Sequence, residues 1–212
     1  AESAPEKYDD AANLREHASG TLRELVDRGF IEMDDDLTVA ATGLGRLASK
    51  FYLRLDTARS FADLAEDADN LTDDAVLRAV AQADAFDSVS ARQDEEEAVE
   101  AVLGGRGEVL DPGPRKVYAI LRSGMNGTIP SELKSDSWVI RQNALRLLAA
   151  LRAFLDQFAD AWAANLARRV EARVEHGVSD DAVGLTALDG VGPGRARTLA
   201  TAGIGTPPAI DD

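Results

Sequence analysis

Cysteine is absent from the 212 residues, so neither a disulfide framework nor a thiolate metal site can exist. Histidine is nearly absent too: His17 and His176 lie in different parts of the chain, which argues against a zinc centre and leaves no metal site expected. No apolar run approaches the roughly 20 residues that span a bilayer, and AESAPEKYDD lacks the apolar core of a signal peptide. A soluble, cytoplasmic protein without a membrane partner is the expectation. There is no initiator methionine, and the chain enters helix-like sequence at once, which reads as a cut within a longer protein.

Lysine is scarce. Four lysines (Lys7, Lys50, Lys116, Lys134) stand against 19 arginines, and the formal net charge is −15. Abundant acid and alanine with little lysine resembles the composition of haloarchaeal cytoplasmic proteins. Molar salt screens exposed charges within a few ångströms, so the acid excess says little about partners. Its distribution says more: residues 1–110 hold 26 acids and 11 Lys or Arg, whereas residues 111–212 hold 12 of each. A nucleic-acid face, which needs cations for phosphate, is expected in the second half.

Helical periodicity in residues 11–28 ends at Gly29, a stop signal. FIEM and LTVA then read as short strands joined by Asp34, Asp35 and Asp36, and Thr42 suits the cap of a helix GLGRLASK. This order reads as a winged-helix module over residues 1–56. Its helix with Arg46 and Lys50 either enters a groove or belongs to a scaffold packed on a neighbour. Residues 57–104 carry three helical patterns; the acidic run Asp94 to Glu97 suits an exposed helical first turn better than a metal or acid-base site. GGRGEVLDPGP (104–114) is the clearest loop.

Between Ser131 and His176 there is neither glycine nor proline, so one very long helix or two joined helices must follow. Ile140, Ala144, Leu147, Leu148, Leu151, Phe154, Leu155 and Phe158 form its apolar stripe. Arg141, Arg146 and Arg152 interrupt that stripe. They are either snorkelling arginines or partners of Asp136 and Asp156, or else phosphate- and base-contacting groups along a single strand.

LTALDGVGPGRARTLATAGI (185–204) has the helix-hairpin-helix pattern: Gly190, Val191 and Gly192 between two helical segments, Pro193 at a helix start, and Ala196 four residues after the second glycine. The glycines let backbone approach a phosphate, and the second helix opens with free N–H groups and a positive dipole end. Gly194 keeps that end bare while Arg195 and Arg197 add charge. Such a site grips the DNA backbone without reading sequence. The alternative is a tight turn used for packing or protein contact.

The segments TGLGRLASKFYLRLDTARSF (42–61), SVSARQDEEEAV (88–99), DSWVIRQNALRLLAAL (136–151), RVEARVEHGV (169–178) and LDGVGPGRARTLATAGI together resemble the C-terminal region of archaeal superfamily-two DNA helicases of the Ski-two-like (superkiller-like) group, relatives of the HelQ and polymerase-theta helicases. The resemblance implies a mainly α fold with three parts: a winged helix (1–56), a helical bundle (57–178) with a base-contacting ratchet helix near 137–155, and a helix-hairpin-helix (179–212). It also implies single-stranded or branched DNA as partner, motor domains upstream in the same chain, and a monomer. Where family members often carry Trp in the ratchet helix, Arg146 stands here.

No GxxxxGK[ST] loop, DExH box or arginine-finger motif occurs. No catalytic residue and no cofactor are therefore expected in these residues; ATP and magnesium would serve the upstream motor, and the isolated chain should be inactive. A non-enzymatic protein-interaction module, or the same region of an RNA helicase, are the alternatives.

Overall fold

The computed structural model describes the backbone of residues 4–205 and side chains from Asn13 onward. The chain divides into two units between Arg59 and Ser60. It is mainly α, with two short strands among the described residues.

The first unit starts with α1 (Ala4–Asp27). Gly29 ends it at φ +75°, and the N–H of Phe30 reaches back to the Leu25 carbonyl at 2.9 Å while that of Gly29 reaches Val26 at 2.9 Å. This paired closure is the Schellman pattern, and glycine adopts its left-handed residue without a Cβ clash. Strands β1 (Ile31–Met33) and β2 (Val39–Ala41) pair antiparallel with Glu32 opposite Ala40. The Asp34 carboxylate closes their turn by accepting from the N–H of Asp36 (3.0 Å) and Thr38 (2.8 Å). Thr42 caps α2 (Gly43–Lys50), its Oγ1 accepting from Gly45 N–H at 3.1 Å. The cations of α2 stay with their own module: Arg46 donates to the Ala41 carbonyl at 2.6 Å, and Lys50 lies 5.3 Å from the Phe51 ring centroid. The boundary between the units falls within α3 (Leu55–Glu66).

The second unit is all helical among its described residues. It contains α4 (Asp73–Ala81), α5 (Glu96–Leu103), α6 (Pro112–Gly124), α7 (Lys134–Phe158), α8 (Ala161–His176), α9 (Asp180–Val183) and α10 (Pro193–Thr201). The glycine-free stretch resolves into two helices. Asp160 decides the break: its side chain accepts from Ala163 N–H at 2.8 Å and starts α8 afresh. The stripe of α7 is buried from Ile140 to Leu155, with Phe158 at its exposed end. Opposite it α8 presents Ala163, Ala167, Val170 and Val174, whose small side chains let the two helices pack closely. Phe154 meets the ring of Phe61 edge-on, with centroids 5.8 Å apart. Val117, Tyr118, Ile120 and Leu121 of α6 and Val76, Leu77, Val80 and Ala81 of α4 complete the core.

Two expectations need correction. The loop 104–114 ends sooner than its composition suggests, because Pro112 begins α6, where its fixed φ and missing N–H cost nothing. The acidic run is not wholly solvent-facing either: Asp94, Glu96 and Glu97 are exposed, but Glu95 is only 1% exposed. Its carboxylate turns inward to Lys116, also 1% exposed. A partner from α6 overrides the local preference of an acid for a helix start.

Candidate nucleic-acid interface

The N-terminus of α7 is fixed by a buried cation. Lys116 Nζ donates to Glu95 Oε1 at 2.8 Å, to Asp136 Oδ2 at 2.5 Å and to the Ser90 carbonyl at 3.3 Å. Arg92 adds a backbone N–H to Glu95 Oε2 at 2.8 Å. Burial pushes the Glu95 carboxyl up, but the hydrogen bonds from Lys116 and Arg92 outweigh it and leave the pKa below the ordinary value. Asp136 is lowered chiefly by its hydrogen bond from Lys116, against a smaller opposing effect of burial. Three segments are thereby tied at the first turn of α7.

Beyond that turn, α7 exposes Trp138 (65%) and Val139. At about 100° per residue, Gln142 and Arg146 follow Trp138 on the same outer face. Both are exposed. Arg141 and Arg152 lie on a flank, with Arg141 half-buried and without an ion pair among the described residues. Arg152 pairs with Glu171 of α8 at 3.2 Å, not with Asp136 or Asp156. Asp136 is taken by Lys116 and approached by Arg92 at 4.0 Å. The three arginines thus diverge: Arg146 faces outward, Arg141 is half-covered, and Arg152 ties α7 to α8. Trp138 lies outside both the apolar stripe and the arginine set that the sequence pattern marks. It could have been found by extending the outer face two turns back.

The hairpin is α9, a short 3-10 turn at Gly184–Ala187, the turn 188–192, and α10. It rests on its own small core of Val178, Ala182, Val183, Leu185 and Ala196. Val191 packs half-buried against that core, so its side chain anchors the turn. Gly190 has φ +77°, which a side chain would strain; Gly192 has φ −75° and ψ 173°, open to any residue. A Cβ at Gly192 or Gly194 would meet no protein atom within 4 Å. Gly190 is therefore needed by the turn, whereas bare backbone at Gly192 and Gly194 serves nothing inside the described protein. Neither Gly194 N–H nor Arg195 N–H, at the start of α10, bonds a described residue.

The two hairpin arginines differ in direction. Arg195 folds over the turn and donates to the Gly190 carbonyl at 2.6 Å, next to the open N–H groups. Arg197 points back to the bundle, donating to the Gly177 carbonyl at the end of α8 at 3.3 Å. Among the described residues no group of acids and histidines could hold a metal, and no helix is long and apolar enough to cross a membrane.

Residues 41–211 match the family model described as the Sec63 Brl domain. The chain is also 30% identical over 210 residues to the ATP-dependent DNA helicase Hel308 of Pyrobaculum calidifontis, covering 91% of this chain and 29% of that protein. Activating signal cointegrator 1 complex subunit 3 is 30% identical over 150 residues in Mus musculus, covering 65% of this chain and 7% of the mouse protein. In Homo sapiens it is 30% identical over 119 residues, covering 53% of this chain and 5% of the human protein. The chain therefore spans less than a third of the length of these relatives.

Proposed function

The chain belongs to the Sec63 Brl domain family, and from that premise we propose that it is the strand-handling region of an ATP-dependent DNA helicase. ATP and magnesium act in motor domains elsewhere in the full protein, and this region holds nucleic acid without hydrolysing nucleotide. Similarity to a protein named as a DNA helicase supports this assignment over 91% of the chain. The outer face of α7, with Trp138 and Arg146, acts as the ratchet surface along which bases stack and phosphates pair. Arg141 joins from the flank, and Arg152 supports the face by holding α7 against α8. The first unit serves as a winged-helix scaffold.

The observation that carries the proposal is the hairpin. Gly190 makes the turn, Gly192 and Gly194 leave its backbone bare, two N–H groups at the start of α10 take no partner among the described residues, and Arg195 stands beside them. These groups suit a phosphodiester gripped independently of base sequence. Arg197 contributes charge and orients the hairpin through Gly177.

The test is a titration of fluorescently labelled single-stranded and forked DNA, and of RNA of the same sequence, at low and at molar salt. Gly192→Val removes no charge, and a Cβ there meets no described atom within 4 Å, so weakened binding in a variant with parental circular dichroism identifies backbone approach. Replacing Arg195 and Arg197 together by Ala should flatten the log-log salt dependence on single strands by up to about 1.4. In molar salt the glycine substitution should be the more damaging. Equal affinity of all three proteins at every salt concentration would reduce the hairpin to a packing or protein-contact element.

A further inference from the structure

A second cationic track lies on α8, on a face that the reading above does not use. Trp162 at the start of that helix is 55% exposed although a large aromatic ring normally gains by burial. Arg169 and His176 follow at intervals of seven residues. Seven residues are nearly two turns, so the three side chains lie within about 40° of one another on one side of the helix. From Trp162 to His176 the line runs about 21 Å. It ends in a groove of 650 Å³ between α8 and the first half of the hairpin.

Arg168 and Arg169 supply the cations of this groove, His176 adds an imidazole, and Ala172, Val183 and Ala187 line its apolar side. Arg168 is exposed and forms no hydrogen bond or ion pair among the described residues. Asp180 is the single acid of the lining, and it pairs with Arg169. Glu175 stands 3.9 Å from His176 outside the lining. An unpaired arginine, a second held by one exposed carboxylate, and apolar walls near a solvent-facing indole fit a polyanion that carries flat bases. They fit poorly to an acidic peptide, which offers nothing periodic to stack on Trp162.

We propose that the outer face of α8, from Trp162 to the groove below His176, is a second binding track for single-stranded nucleic acid, with Trp162 stacking on a base and Arg168 and Arg169 pairing with phosphates. The proposal rests on the strand-handling reading and extends it from α7 to α8. Asp180 occupies Arg169 while the track is empty and yields it to an arriving phosphate.

The two tryptophans of the chain, Trp138 and Trp162, allow the tracks to be read separately. In Trp138→Phe the only indole left is on α8; in Trp162→Phe it is on α7. Each single-tryptophan protein is titrated with a 20-nucleotide oligothymidylate while indole emission is followed. Saturable quenching of Trp162 is expected. In the Trp138→Phe background, Arg168→Ala with Arg169→Ala should lower the log-log salt slope of that quenching by about 1.4. Asp180→Asn should tighten binding up to about fivefold, whereas a purely structural Asp180 would leave or weaken it. Emission from Trp162 that ignores oligothymidylate overturns the proposal, as does a salt slope unchanged by the double arginine substitution. Quenching of Trp138 alone would sink the α8 track while leaving α7 intact; quenching of Trp162 alone would do the reverse.

Discussion

Replacing Lys116 by Met should be among the most damaging single changes available in the second unit. Methionine roughly preserves the volume of the side chain but removes the cation that neutralises Glu95, which is 1% exposed and then has no opposite charge within its enclosure except the half-solvated Arg92. Breaking a buried ion pair from one side costs about 3–5 kcal/mol, because the remaining charge is left desolvated. For a unit of roughly 150 residues each kcal/mol shifts the melting temperature by about 2–4 °C, so a drop of about 6–20 °C is expected. Adding Glu95→Gln to Lys116→Met should recover much of the loss, since the amide is uncharged and still accepts from Arg92 N–H, while Asp136, 36% exposed, remains hydrated.

The pH dependence gives an independent check of this account. In the parent, Glu95 and Asp136 both have folded pKa values below the ordinary 4.5 and 3.8. Their stabilisation is present above those ordinary values and is lost as the pH falls through the lowered ones. In Lys116→Met burial acts on Glu95 with far less opposition, which raises its pKa, so acidification relieves the variant by neutralising the stranded carboxylate. The gap between parent and variant should therefore narrow from pH 7 towards pH 4, followed by urea unfolding monitored at 222 nm. A cost below about 1 kcal/mol at pH 7, or a gap that widens on acidification, would refute the reasoning.

Gly190→Ala should destabilise by about 1–3 kcal/mol because φ +77° is forced on a side chain, whereas Gly192→Ala should change stability by no more than about 0.5 kcal/mol; chemical denaturation of both separates the glycine that the turn needs from the one that it does not. Asp160→Ala removes the side-chain cap of α8 and should cost about 1 kcal/mol, read in the same assay, with hydrogen exchange quickening first in the opening turn of the helix. Burial raises the Glu171 carboxyl above its ordinary value, with Arg152 opposing and Glu175 adding to the rise. A raised carboxylate pKa makes folding take up a proton, so its penalty is absent below the ordinary value and grows as pH rises through it. Glu171→Gln should flatten that part of the stability profile, and an unchanged profile would show that the Arg152 pair balances the burial.

Much of the local structure was legible from residue order, because it depends on neighbours a few positions apart. The stop at Gly29, the turn acids around Asp34, the cap at Thr42 and the stripe from Ile140 to Leu155 are all short-range patterns, and each forms the element its pattern implies. The hairpin was legible for the same reason, since Gly190, Val191, Gly192 and Ala196 act within one turn of each other. Mainly α architecture follows from these patterns, because each helix carries an apolar face that only another helix is there to cover.

Tertiary structure decided which charges are free. Within the run from Asp94 to Glu97 no local rule distinguishes Glu95, yet Lys116, 21 positions later, draws it into the core. The same holds for Arg152, whose partner Glu171 lies on the next helix, and for Arg197, which points to a carbonyl 20 residues earlier. Exposure of Trp138 and Trp162 is likewise set by which sides of α7 and α8 meet, since an indole reads as apolar in a sequence whether it is covered or not. Sequence thus determined the helices, their ends and the hairpin turn through contacts a few residues long. Which charges and rings stay exposed was settled by long-range pairing, because such a group is available only when no distant partner has already taken it.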